Sequence, residues 1–312
     1  MRTIVYFGPP GTFTEEALLT QEDLAALPRT AQRSVPDVIA SVESGEFDAG
    51  LVPIENMIEG SVSVTLDTLA FDSELWIQRE IDLPVSLSLC AKPGVALADV
   101  RTVVSFPHAI AQCRGYLSNK LPKADSRASY STAEAASEVA KSKHSDLAAI
   151  CNRLAAEMYG LDVLATEIED HPENQTRFVL VGRGIPAPSG HDKTTIVCFQ
   201  REDRPGSLLA ILQEFAARAI NLTKLESRPT KRGLGDYCFF IDVEGHVSDE
   251  LIADGLRNLA AKQAEVKFLG SYPVGGPMEA GVERRRAAGR AWKHASTWVE
   301  QLRAQIRDPG DE

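Results

Sequence analysis

The segment Asn174-Gln175-Thr176-Arg177-Phe178 sets a hydroxyl, a guanidinium and an aromatic ring at the mouth of the apolar run 179–181. A small anionic ring could meet all three there. The same triplet also suits an ordinary half-buried strand start, so it carries chemical meaning only in company. Three further segments supply that company: Gly8-Pro9-Pro10-Gly11-Thr12-Phe13-Thr14 near the N-terminus, Val52-Pro53-Ile54-Glu55-Asn56-Met57-Ile58-Glu59-Gly60-Ser61-Val62 after it, and Glu226-Ser227-Arg228-Pro229 late in the chain.

Residues 8–14 fall between an expected strand at Ile4–Phe7 and an expected helix. Glycine permits a tight turn there, and Thr12 with Glu15 has the spacing of a capping box. Two readings stay open, a plain strand-to-helix turn and an anion site at the helix N-terminus. The loop has no Gly-Lys-Ser/Thr, which disfavours a nucleotide. Glu55-Asn56 directly follows the apolar run 49–53, at the carboxyl end where ligands of open α/β sheets collect. There too a turn carboxylate satisfied by nearby N–H groups is the alternative.

These residues need elements to hold them. The first half alternates apolar strands and helical stretches, at 4–7, 15–27, 37–44, 49–53 and 62–71, then again at 103–105, 107–121, 132–142, 147–151 and 163–166. That is an α/β pattern with a largely parallel sheet, in two similar lobes. Between them the strict alternation of Leu83-Pro84-Val85-Ser86-Leu87-Ser88-Leu89-Cys90 predicts one long strand with one buried face, able to cross between the lobes. A Gly-, Pro-, Ala- and Ser-rich stretch at 182–190 reads as a linker. After it come strand 194–200, helix 207–219, strands 222–227 and 237–243, helix 249–263 and strand 265–269, the ferredoxin-like βαββαβ order of an α+β domain. In the tail, past Pro277, the run Arg284-Arg285-Arg286 beside Glu279 and Glu283 reads as a solvated face. Trp292, Ala295, Trp298, Val299, Leu302 and Ile306 follow at helical spacing, predicting an amphipathic helix that packs on this chain or on a sister subunit.

Composition narrows the function classes. A chain of 312 residues with 44% hydrophobic residues has room for two or three cores. Its net charge is -11, and the negative excess lies within residues 1–191 because the later segments are close to balance. An acidic domain repels nucleic acid, so an anionic substrate must rely on local donors. No window approaches a membrane span and no basic-then-apolar leader opens the chain, so a cytoplasmic protein without membrane attachment is expected. Cys90, Cys113, Cys151, Cys198 and Cys238 are scattered and read as reduced core thiols. The six histidines are equally dispersed, and no metal is expected.

Taken in order, the four segments resemble the prephenate dehydratases, over residues 3 to about 273. The resemblance implies a catalytic region at 1–182, built as two lobes like a type II periplasmic binding protein, with the second lobe at about 84–165. It further implies a linker at 183–192, an amino-acid-sensing ACT domain at 193–273 and a tail at 274–312. It implies the loss of carboxylate and hydroxyl from prephenate as the ring becomes aromatic, a reaction that needs no cofactor. Hydroxide is a poor leaving group, so a donor must aim at it. The family assigns this to the threonine matching Thr176, which suits a positioned hydrogen-bond donor better than a free-standing acid. Arg177 then pairs with a substrate carboxylate or orients its neighbours, and Phe178 offers its face to the ring. Thr12, Glu55, Asn56, Ser105 and Gln112 fall to substrate binding.

Asp203-Arg204-Pro205-Gly206-Ser207-Leu208 and Asn221-Leu222-Thr223-Lys224-Leu225-Glu226-Ser227-Arg228-Pro229 look like ACT signatures. They imply phenylalanine as effector, held by Gly206, Ser207, Leu208, Asn221, Leu222, Glu226, Ser227, Arg228 and Pro229 between two copies, hence a homodimer or homotetramer. Two departures stand out. Met57 replaces the family's usual serine, and Ser105-Phe106-Pro107-His108 stands where Ser-His-Pro-Gln is common. An arogenate dehydratase, a non-catalytic amino-acid-sensing regulator and a non-catalytic binding protein are the competing readings.

Overall fold

The computed structural model describes residues 1–200, 205–231, 233, 235–262, 265–276 and 282–306. Asp203, Arg204, Pro277 and Glu279 lie outside the described residues, as do the side chains of Glu283 and of Arg284, Arg285 and Arg286. Contacts divide the chain into two compact units, residues 1–75 with 80–183 and residues 76–79 with 184–312.

The first unit contains two α/β lobes. Lobe one comprises β1 (Ile4–Phe7), α1 (Phe13–Leu19), α2 (Glu22–Ala25), β2 (Arg29–Gln32), α3 (Val35–Glu43), β3 (Ala49–Asn56), β4 (Gly60–Ser61), α4 (Ser63–Asp67) with a wider π-helical turn at Thr68–Asp72, and β5 (Trp76–Pro84). Lobe two comprises β6 (Ser88–Ala91), β7 (Thr102–Ser105), α5 (Pro107–Gln112), α6 (Arg114–Lys120), β8 (Asp125–Ala128), α7 (Thr132–Lys141), β9 (Leu147–Cys151), α8 (Arg153–Tyr159) and β10 (Asp162–Ala165). The chain then returns to lobe one as β11 (Gln175–Gly182).

The first sheet has the order β2-β1-β3-β11-β5, with β4 beside β3, and the second β10-β6-β9-β7-β8. Both are mixed rather than largely parallel. The strand that returns, β11, runs antiparallel to β3, and β6 is antiparallel to both β9 and β10. Helix starts follow local capping. Ser34 accepts from the Asp37 N–H at 3.2 Å, Ser131 from Glu134 at 3.0 Å and Asn152 from Ala155 at 3.0 Å. Gly50 lets α3 lie directly on β3, since a Cβ there would sit 2.7 Å from Val38 Cγ1.

The alternating run 83–90 is two strands in different sheets, not one. Pro84 has no N–H to continue a ladder, and the next backbone donors turn elsewhere. Val85 N–H donates to Asn174 O at 2.8 Å and Leu87 N–H to Glu169 Oε2 at 2.8 Å. The two crossings between lobes, before β6 and before β11, are thus bonded side by side. Strand β5 itself goes unannounced in the sequence because Gln78, Arg79, Glu80 and Asp82 interrupt its apolar residues.

The second unit places β12 (Asp192–Phe199), α9 (Ser207–Ala216), β13 (Leu222–Pro229), β14 (Tyr237–Glu244), α10 (Glu250–Lys262) and β15 (Glu265–Pro273) in the βαββαβ order. Its antiparallel sheet runs β13-β14-β12-β15, the ferredoxin-like arrangement. Ile196, Ile211, Phe215, Ile241 and Leu259 fill the core between sheet and helices. The tail forms α11 (Val282–Arg303). Trp298, Val299 and Leu302 stay exposed on it, as does Ile306 just beyond its end, so this part of the expected stripe is not packed on the chain itself.

Candidate active site

Register brings the predicted residues together. Thr176 pairs with Asn56 across β11 and β3, and Arg177 pairs with Glu55. Because successive side chains point to opposite faces, the first pair shares one face and the second pair the other. The ladder then shifts, with Phe178 opposite Pro53, a site where the missing N–H of proline is tolerated.

Asn56 is the centre of the first face. Its Oδ1 accepts the backbone N–H groups of Ile58 and Glu59, each at 3.0 Å. Its Nδ2 donates to Thr176 Oγ1 at 2.9 Å and to Asn174 Oδ1 at 3.0 Å. Asn174, 1% exposed, passes the contact on by donating from Nδ2 to Gln112 Oε1 at 3.2 Å. Gln112 Nε2 donates to Glu59 Oε1 at 3.3 Å, and Glu59 Oε2 lies 2.6 Å from His108 Nδ1. The His108 ring stacks on Phe106. Gln112 is held at the break between α5 and α6, where its carbonyl accepts from Asp170 N–H and the Asp170 carboxylate accepts from Gly115 N–H.

On the opposite face Arg177 lies between two carboxylates, Nη2 at 3.0 Å from Glu55 Oε2 and Nη1 at 3.3 Å from Glu80 Oε2. Glu80 is almost wholly buried on β5. Arg177 thus sits between the two carboxylates, which match its charge locally.

Three expected binding residues are placed differently. Phe178 is 1% exposed and packs with Ile4, Tyr6, Leu18 and Leu51 in the core of lobe one, so its ring is not open to a substrate. Ser105 is fully buried and donates to Ile150 O at 2.6 Å, bracing β7 against β9. Thr12 is buried and donates to Phe7 O at 3.2 Å, while Glu15 Oε2 accepts from Gly11 N–H at 2.8 Å, so the expected capping box does not form. The loop 8–14 is a joint between lobes. Gly11, at φ +87°, lies so close to α8 that a Cβ would come 3.3 Å from Ala155 Cα. Asn152 Nδ2 donates across the same joint to Glu16 Oε2 at 2.7 Å.

Met57 is exposed, and its N–H donates to Gln175 O at 2.9 Å. Asn174, Glu59 and Glu80 belong to the constellation although spacing alone does not single them out. Only the position of Asn174 two residues before Thr176 hints at one of them. Among the described residues no group of three or more His, Cys, Asp or Glu side chains is arranged as metal ligands. All five cysteines are free and buried, and burial pushes the Cys113 and Cys198 thiols up to about 12.

In the second unit Gly206 caps α9 at φ +87°, Ser207 and Leu208 open that helix, and Leu208 and Leu222 both pack on its core. Asn221 Nδ2 donates to Glu244 Oε1 at 2.9 Å. Along β13, Glu226 pairs with Lys224 at 3.3 Å and with Arg228 at 3.2 Å, and Ser227 and Pro229 face outward from this sheet edge.

Comparison with known proteins agrees with both units. The prephenate dehydratase family profile matches residues 4–185 and the ACT domain profile residues 194–261. A prephenate dehydratase of Mycolicibacterium vanbaalenii is 41% identical, the alignment covering 97% of this chain and 99% of that one. The crystal structure of a prephenate dehydratase from Arthrobacter aurescens in complex with L-Phe superposes with a TM-score of 0.87 at 40% identity, covering 96% of this chain and 99% of its own. A further structure, described as GqqA, a novel type of quorum quenching acylase, has a TM-score of 0.78 at 28% identity and covers 88% and 98%. The two-lobed catalytic unit, the ferredoxin-like unit after it and near full-length identity together place the chain in the prephenate dehydratase family, carbon–oxygen lyases carrying an ACT domain.

Proposed function

We propose that the chain converts prephenate to phenylpyruvate, water and carbon dioxide as a step of phenylalanine biosynthesis in the cytoplasm, with Thr176 as the donor to the departing hydroxyl. One observation carries this reading. Thr176 Oγ1 accepts from Asn56 Nδ2, and the Asn56 amide is oriented by two backbone N–H groups. The lone pair that faces Asn56 is occupied, so the hydroxyl proton points elsewhere. Among the described residues no acceptor takes that proton. A threonine held in this way is a ready hydrogen-bond donor.

The chemistry suits such a donor. The bond to the leaving carboxylate breaks, its electron pair enters the ring, and the ring expels the hydroxyl from the opposite carbon. One proton is taken up overall, and the departing oxygen leaves as water. A donor aimed at that oxygen is most effective as negative charge builds on it, which is where it lowers the barrier. Asn56 and Gln112 remain the side chains assigned to orienting the substrate. Glu55 is held by Arg177 and shapes the site from behind.

Phenylalanine as effector is supported by the ACT profile and by the L-Phe complex of the Arthrobacter aurescens relative. Gly206, Ser207, Leu208, Asn221, Leu222, Glu226, Ser227, Arg228 and Pro229 are the residues proposed to hold it, between copies in a homodimer or homotetramer. The deciding experiment incubates the purified chain with prephenate and, separately, arogenate, with and without phenylalanine. Phenylpyruvate formed from prephenate is expected. Turnover of arogenate alone, or phenylalanine binding without any turnover, would overturn the assignment.

A further inference from the structure

We infer that Asn174 is a positioning residue that sets the direction of the hydrogen-bond chain through which Asn56 presents Thr176 and Gln112. The inference rests on the reading of Thr176 as donor. Its starting point is that every amide in this chain has one permissible orientation. The N–H groups of Ile58 and Glu59 are donors only, so Asn56 must turn its oxygen to them and its nitrogen to Thr176 and Asn174. Asn174 must then show its oxygen to Asn56 and its nitrogen to Gln112. Gln112 in turn must show its oxygen to Asn174 and its nitrogen to Glu59, whose carboxylate only accepts. Asn174 is the buried middle link, and it joins β3 of one lobe to α5 of the other.

An asparagine is the one side chain of this size that accepts on one side and donates on the other. In Asn174→Asp an oxygen replaces the nitrogen facing Gln112 Oε1, and two acceptors meet. Turning Gln112 over removes that clash and creates another, because its oxygen then faces the Glu59 carboxylate. Adding Glu59→Gln removes the second clash, since an amide at 59 donates to the reversed Gln112. The double variant also has the net charge of the parent. The chain's direction beyond Asn174 is thus reversed without loss of a bond, and Asn56 and Thr176 keep their geometry.

The test measures kcat and KM for prephenate in the parent, Asn174→Asp, Asn174→Ala and Asn174→Asp/Glu59→Gln, with circular dichroism melts to establish folding. In Asn174→Asp kcat is expected to fall about 100-fold while KM changes less than about threefold, the signature of a lost transition-state contact. The double variant is expected to regain at least about tenfold of that loss, because the two sites are coupled. If Asn174→Asp does not fold, Asn174→Ala decides, with a fall in kcat at steady KM supporting the role and a rise in KM at steady kcat overturning it. Parental kcat in a folded Asn174→Asp, or a double variant no faster than the single one, overturns the role of Asn174 alone. A parent that leaves prephenate unchanged overturns this inference together with the functional reading.

Discussion

At Thr176 the chemistry turns on one proton. The hydroxyl accepts from Asn56 and keeps its own hydrogen for the substrate, so Thr176→Ala is expected to lower kcat by about two to four orders of magnitude with little change in melting temperature. Thr176→Ser, which retains the hydroxyl, should recover most of the rate, and phenylpyruvate absorbance follows both. Arg177 leads to the opposite expectation. It is flanked by Glu55 and by the buried Glu80, so Arg177→Gln removes a cation shared by two carboxylates and should lower the midpoint of urea unfolding. A normal unfolding midpoint would show that the two ion pairs do not hold the site. The sequence displayed Thr176, Arg177 and Asn56 as chemistry-bearing residues, and register brings Thr176 to Asn56 on one face while Arg177 meets Glu55 on the other. It could not display Phe178 as a core residue, because the side chains that cover its ring, among them Ile4, Tyr6, Leu18 and Leu51, come from elements more than a hundred residues away. Asn174 was in view but had no visible partner, since Gln112 is brought to it only by folding.

At the scale of elements, most helices and strands were legible from apolar periodicity, whereas helix α8 and the short strands β2, β4 and β8 were not singled out. Strand β5 and the break after Pro84 were not, because a strand carrying four polar residues has no clean alternation and the break depends on acceptors supplied by residues 169 and 174. The joint between α1 and α8 was hidden for the same reason, and it has a pH signature. Burial holds the Glu16 carboxyl above the ordinary carboxylate range, with the Asn152 bond opposing the shift. The folded state therefore binds this proton more tightly than the unfolded chain. Its contribution to stability is fullest below the unfolded value and is lost as pH rises through the raised one. Glu16→Gln keeps an acceptor for Asn152 and removes the titration. The variant is expected to melt at a higher temperature than the parent at neutral pH, with the difference shrinking as the solution is acidified through that window. Parallel curves for the two proteins across the window would show that Glu16 does not carry the shift.

At the scale of the molecule, a two-unit enzyme with an effector must transmit a preference from one unit to the other, and linkage makes the transfer reciprocal. If phenylalanine changes prephenate affinity by some factor, prephenate must change phenylalanine affinity by the same factor. The ACT order was readable from its βαββαβ pattern, whereas the way β5 is shared between units was not. Residues Trp76–Arg79 group with the second unit, and Glu80, next in the chain, belongs to the first and pairs with Arg177. Within the second unit Gly270, at φ +149°, lies against this segment so closely that a Cβ would fall 2.4 Å from Ile77 O. Gly270→Ala must displace the backbone of residues 76–79, and Glu80 is the next peptide along. In a folded Gly270→Ala chain the ratio of turnover with and without phenylalanine is expected to move toward one, while calorimetry still detects phenylalanine binding. A folded variant whose response to phenylalanine matches that of the parent would show that the effector's influence reaches Thr176 by a route other than β5.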